Sequence, residues 1–153
     1  MNNNMERPLN SLHENYIKGT QKEALVINKT VFLCNLTRSV NKACSLEAHR
    51  VFVTTRMLKH LYDKKTAEEY EFIINNLHTV VKYPDDIYKN RNSKRGDFLF
   101  AKLLKSNKYL CSIEICKDEE IKLFIATCFR IHNPKYLDNY EFLWSWKVGK
   151  PSS

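Results

Sequence analysis

The sequence predicts an α+β fold in which two helices precede an antiparallel meander and pack on one face of its sheet. Three observations predict it. A helical stripe of apolar residues runs from about residue 55 to residue 81, the period turns alternating after Pro84, and the gaps between the later apolar runs are hairpin-sized.

Residues 1–20 are polar, contain Pro8 and read as a loose arm with at most one short helix. The stretch "EALVINKTVFLCNLTR", residues 23–38, holds two β-prone runs about Asn28 and Lys29. That is the outline of a hairpin, without the glycine that would favour its turn. "VFVTT", residues 51–55, is a short β-type run.

The first firm helix covers residues 55–64. Met57, Leu58, Leu61 and Tyr62 form its apolar stripe, and Arg56, His60 and Asp63 share the opposite side at 100° per residue. Thr66-Ala67-Glu68-Glu69 then fits a capping box, in which hydroxyl and carboxylate each satisfy an orphan backbone N–H. Tyr70, Ile73, Ile74, Leu77 and Val81 continue the second helix until Pro84 closes it.

"KNRNSKRG", residues 89–96, is a loop with four cations and no acid. Three strands follow: "DFLFAKLL", "KYLCSIEIC" and "IKLFIATCFRI". "HNPKYLDNYEFLWSW" ends the ordered pattern with a turn of helix near Pro134 and an aromatic segment carrying Trp144 and Trp146.

A chain of 153 residues is sized for one domain. Hydrophobic residues at 43% with only 3 glycines and 4 prolines exclude a disordered or linker-rich chain. The formal charge of +8 favours a polyanionic partner, nucleic acid before anionic membrane. The five cysteines, Cys34, Cys44, Cys111, Cys116 and Cys128, lie mostly in apolar runs, as free thiols of a reducing compartment do. No pair has zinc spacing, so neither metal nor cofactor is expected. "MNNNMERPLN" has no apolar signal core, and no apolar run approaches the roughly 20 residues of a membrane span. These features read as a soluble, intracellular protein, with the cytoplasm as the expected location.

Alternation marks the functional candidates. Ile121, Leu123, Ile125, Thr127, Phe129 and Ile131 form one row, in which Thr127 is the single hydroxyl. Phe98, Phe100 and Leu104 share a row with Lys102, whose amine is costly to bury without water, an acid or an anion. His60, Lys102 and Thr127 are therefore the catalytic candidates for one cleft. Arg56, Arg91, Lys94 and Arg95 are candidates for holding a polyanion, and Arg130, on the opposite face from Thr127, ranks below them. Each also has an ordinary reading: a solvated helix-surface histidine, a snorkelling lysine, a β-branched strand residue and a basic turn. The tryptophans fit core and lid packing better than base stacking. His49, His78 and His132 share no spacing, and His13 falls in the arm.

The strings "VTTRMLKHLYDKK", "YEFIINNLHTVVKYPDDIYKN", "GDFLFAKLLKSNKYLCSIEI" and "IKLFIATCFRI" together resemble the phage and prophage nucleases of the barnase–EndoU–colicin–RelE group. The shared features are the histidine of "LKH", a P-D-x-I after the second helix, a lysine in the first meander strand and a threonine late in a later strand. The resemblance covers residues 49–147 and implies two helices packed on a four-stranded antiparallel β-meander. Residues 1–48 are then an N-terminal extension and 148–153 a tail. It implies a metal-independent endoribonuclease of toxin or phage-effector type with His60, Lys102 and Thr127 at its centre, and an immunity or antitoxin protein as a possible partner.

The chemistry fits those residue types. RNA supplies its own nucleophile, the ribose hydroxyl beside the scissile phosphate. An imidazole, with an ordinary pKa of about 6.5, can take or deliver a proton near neutrality. Lys102 would stabilise the phosphorane, Thr127 would donate to a non-bridging oxygen, and a cyclic phosphate would result. The alternatives are a catalytically silent RNA- or protein-binding module of the same fold and an interaction protein from a mobile element.

Overall fold

The computed structural model describes residues 7–90 and 97–146. Its centre is a seven-stranded mixed sheet, not a four-stranded antiparallel meander, and the described residues form more helices than the two expected. The strands are β1 (Thr30–Asn35), β2 (Arg50–Thr54), β3 (Asp86–Lys89), β4 (Phe98–Leu104), β5 (Asn107–Lys117), β6 (Ile121–Arg130) and β7 (Glu141–Ser145). They lie in the order β1-β2-β6-β5-β4-β3-β7, with only β2 and β6 parallel.

The chain either side of the expected meander accounts for the correction. Helix α3 (Thr55–Lys64) begins directly where β2 stops, and α4 (Ala67–Lys82) follows it. The long crossover from β2 through both helices to the sheet lets β2 settle beside β6 in the parallel sense. At the other edge, β7 returns to pair with β3.

No hairpin forms about Asn28 and Lys29. β1 pairs with β2 instead, Thr30 opposite Thr54. The backbone just before β1 is satisfied by Thr55: its N–H donates to the Lys29 carbonyl at 2.9 Å and its hydroxyl to that of Ile27 at 2.6 Å.

The N-terminal arm is docked, not loose. α1 (Arg7–Leu12) runs into a π-helical turn (His13–Ile17), and Leu9, Leu12 and Ile17 are buried. His13 Nδ1 sits 3.0 Å from the Tyr70 hydroxyl, and burial holds its pKa below the usual imidazole value. After the turn, three side chains of α3 fasten the connecting segment. The Gly19 N–H donates to the Tyr62 hydroxyl, the Lys59 amine to the Gln21 carbonyl, and the Glu23 N–H to Asp63. Residues of α1, of α2 (Arg38–Ala43), of α3 and of α4 enter one core on one face of the sheet, with Val51, Phe100, Ile113 and Leu123. Each such side chain contributes about 1.5–3 kcal/mol through burial.

Thr66 caps α4 by accepting from the Glu69 N–H at 3.1 Å. The Glu69 carboxylate accepts from the Tyr109 hydroxyl on β5, at 3.1 and 3.2 Å. The cap thus ties the helix start to the sheet.

The outer face is covered only in part. A 3-10 turn (Pro134–Asn139) lays Leu137 over Leu99, Ala101 and Leu110 of β4 and β5. One irregularity resets the rest of that face. Ile113 pairs with Ile125 but Ser112 pairs with Thr127, so Ala126 is an extra residue in β6. Leu123 and Ile125 face the helices, and past the bulge Cys128 does so. Thr127, Phe129 and Ile131 are thereby turned to the outer face, which breaks the continuous row expected from Ile121 to Ile131.

Candidate active site

Where β2 gives way to α3, an open pocket of about 560 Å³ forms between the helix and β6. Thr54, the last strand residue, caps α3 by accepting from the Met57 N–H at 3.2 Å. That cap fixes the helix start, so Arg56 and His60, one turn apart, both line the pocket. In the parallel pairing Phe52 is opposite Phe124, which brings Thr54 level with the bulged Ala126. Glu114 of β5 lies opposite Phe124 and adds a carboxylate to the same wall. An imidazole, a guanidinium and a carboxylate thus share one cavity, and all three residues are exposed.

The expected catalytic residues divide. His60 is in this pocket. Thr127 lies one residue beyond Ala126, on the outer face. Lys102 does not join them. It stands on the helix face with Phe98 and Phe100, two strands from β6, so the sheet separates it from Thr127. Its amine donates to the Tyr83 carbonyl at 2.8 Å and to Asp85 Oδ1 at 3.4 Å. It lines a different cavity, of about 550 Å³, with Tyr83, Trp144 and Trp146. A row expected to expose an amine to substrate instead spends it holding the chain after α4 against β4.

Arg130 faces the helices opposite Tyr109, with its Nε buried and lacking a hydrogen-bond partner. Burial first, and Glu69 second, push the Tyr109 phenol up to about 12. Asp63 also leaves the His60 side. It takes the Lys59 amine at 2.7 Å and the Glu23 N–H at 2.9 Å, and the Lys59 bond holds its carboxyl below the ordinary range. Arg91, Lys94 and Arg95 lie outside the described residues.

Glu114 is the group that sequence reading missed. The signal was available: one acid between Ile113 and Ile115, on the alternate row of a strand whose other row is buried. Among the described residues no group of three His, Cys, Asp or Glu side chains could hold a metal ion, and no helix is long and apolar enough to cross a membrane. Comparisons with protein-family models, curated proteins and solved structures find no match for this chain.

Proposed function

We propose that the protein is a metal-independent endoribonuclease working from the pocket at the start of α3. The observation that carries the reading is the shared lining of one open cavity by His60, Arg56 and Glu114. Transphosphorylation needs a base, an acid and a cation, and these are one of each. Glu114 accepts the proton of the ribose hydroxyl as its oxygen attacks phosphorus. Arg56 stabilises the charge gathering on the non-bridging oxygens. The bond to the leaving oxygen breaks as protonated His60 delivers a proton to it, leaving a cyclic phosphate and a free hydroxyl. Thr127, one residue past Ala126 and outside the pocket lining, has no assigned step, and Lys102 has no part.

The resemblance of residues 49–147 to the barnase–EndoU–colicin–RelE group supports the same activity, and the net charge of +8 suits an RNA substrate. Five free thiols, four of them buried, suit the cytoplasm. A cytoplasmic effector of this kind would be held in check by an immunity or antitoxin protein.

The test is incubation of purified protein with RNA in EDTA. New ends carrying cyclic phosphate are expected, and His60→Ala should slow their appearance by about a hundredfold or more. RNA left intact by the wild type, or cut equally by the variant, overturns the reading. Salt-sensitive binding without products would instead identify a catalytically silent RNA-binding module.

A further inference from the structure

The uncovered half of the outer face carries an ordered aromatic row. Phe32 on β1 is opposite Phe52 on β2, and Phe52 is opposite Phe124 on β6. Their ring centroids follow at 5.8 Å and 5.8 Å. The next residue in the row, opposite Phe124, is Glu114, so the aromatic track runs into the pocket that holds His60. Neither of the two apolar clusters includes these rings; Phe32 is 38% exposed and Phe124 half-buried, while Phe52 between them is 8% exposed beneath Arg50 and Lys122.

Cations flank the rings. The Arg50 guanidinium is 5.1 Å from the centroid of Phe32 and 5.2 Å from that of Phe52, and the Lys122 amine is 5.3 Å from Phe52. The pairing of Val51 with Leu123 sets Arg50 level with Lys122, a cationic row one step from the aromatic one. Among the described residues neither cation has a carboxylate within ion-pair distance. Asp118, Glu119 and Glu120 share a cavity with Lys122 and Phe124. Their charge partly offsets that of Lys122, so a strand approaches over β1, and Arg50 carries the stronger phosphate contact.

We propose that this face is the docking track for single-stranded RNA: bases stack on Phe32 and Phe124, phosphates meet Arg50 and Lys122, and the chain is led to the His60 pocket. Aromatic side chains on an open sheet face stack two or three bases in other RNA-binding sheets, and every base offers a π-face, so the track selects single strands over duplex without reading sequence. The proposal rests on RNA as the substrate, and it adds β1 and β2, outside the catalytic pocket's acid–base groups, as the strand-holding surface.

The experiment is fluorescence anisotropy of a labelled oligouridylate titrated with protein carrying His60→Ala, which removes cleavage from the readout. Adding Phe32→Ala should weaken binding about fivefold or more, the effect of losing one stacked base. Adding Arg50→Gln, at an exposed side chain, should reduce the dependence of affinity on salt by about one phosphate contact. Melting curves establish that each variant is folded. Affinity unchanged within about twofold in both variants overturns the track. So does duplex RNA competing as well as single strand, or polyglutamate binding with the same dependence on Phe32, which would make the surface a dock for an acidic protein. Cleavage that depends on His60 while binding ignores Phe32 sinks the track alone; binding that depends on Phe32 with no cleavage by the wild type sinks the catalytic reading alone.

Discussion

Replacing Lys59 by methionine should destabilise the protein far more than an ordinary helix-surface substitution. Lys59 is only 6% exposed, and its amine donates to Asp63 Oδ1 and to the Gln21 carbonyl, both at 2.7 Å, while lying 5.5 Å from the centroid of the Tyr62 ring. Methionine keeps most of the volume but leaves a carboxylate and a carbonyl without their cation. Breaking a buried ion pair from one side costs about 3–5 kcal/mol. In a domain of this size that is a fall in Tm of roughly 6–20 °C.

The sign of the pH dependence follows from Asp63. Its carboxyl is held below the ordinary range, first by the Lys59 hydrogen bond and then against burial, with the Glu23 N–H and Lys22 adding smaller effects. A depressed carboxyl contributes stability above its unfolded value, about pH 4, and loses it as pH falls through the folded value. Without Lys59, burial acts on Asp63 with less opposition, so protonation there becomes less costly. The gap between variant and wild type should therefore narrow as pH falls from about 5 to 3. Urea unfolding followed by circular dichroism across that range measures it. A loss below about 1 kcal/mol at pH 7, or a gap that does not change with pH, would refute the buried pair. Lys59→Met combined with Asp63→Leu should recover part of the loss, because no charge is then orphaned although the Gln21 carbonyl and the Glu23 N–H still lose their partners.

Two further outcomes follow from the same side-chain contacts. Lys102→Ala should leave RNA cleavage within a few fold of wild type and lower stability by about 1–3 kcal/mol, since the Tyr83 carbonyl loses its donor and Asp85 keeps only the Leu103 N–H. A hundredfold loss of activity in a folded Lys102→Ala protein would return that lysine to the active centre. The Tyr109 phenol, pushed up to about 12 by burial and then by Glu69, should be missing from an ultraviolet titration of phenolate at pH 10–11, and Glu69→Gln should bring it part of the way down. A full complement of phenolates by pH 11 in the folded wild type would contradict the contact.

The elements with strong period and end signals were legible in the sequence. Thr66 is the N-cap that was expected, although the Glu69 carboxylate of the expected capping box turns to Tyr109, and α3 and α4 run where the i, i+3, i+4 stripes put them. The three strands after the basic loop also fall at the expected positions. The failures were of partnership. β1 has the composition of a hairpin arm, but its neighbour is β2, twenty residues on, because Thr55 satisfies the backbone that the other arm would have used. Local pattern reports that a segment is extended; it does not report which strand lies beside it, and an edge strand such as β1 or β7 is chosen by tertiary fit. The first twenty residues misled for a related reason. Leu9, Leu12 and Ile17 are few among many polar residues, yet each one is buried.

At the site, one residue decides what could be read. Alternation assigns Thr127 to the row of Leu123 and Ile125, and that assignment is sound until the strand gains a residue. Ala126 is that residue, and small size is its only visible mark. From there onward every side chain changes face: Thr127 leaves the core row for the outer surface, and Arg130 goes to the helices. The bulge occurs where β2 ends and α3 begins, so β6 loses its parallel neighbour at the point where its register shifts. A strand that bends away from a departing neighbour opens a cleft at its edge, and this is the cleft that His60, Arg56 and Glu114 line. The irregularity that defeated the alternation argument is thus also the local cause of the pocket. Filling it with a bulkier side chain at Ala126 would press directly on the cavity that carries the proposed chemistry.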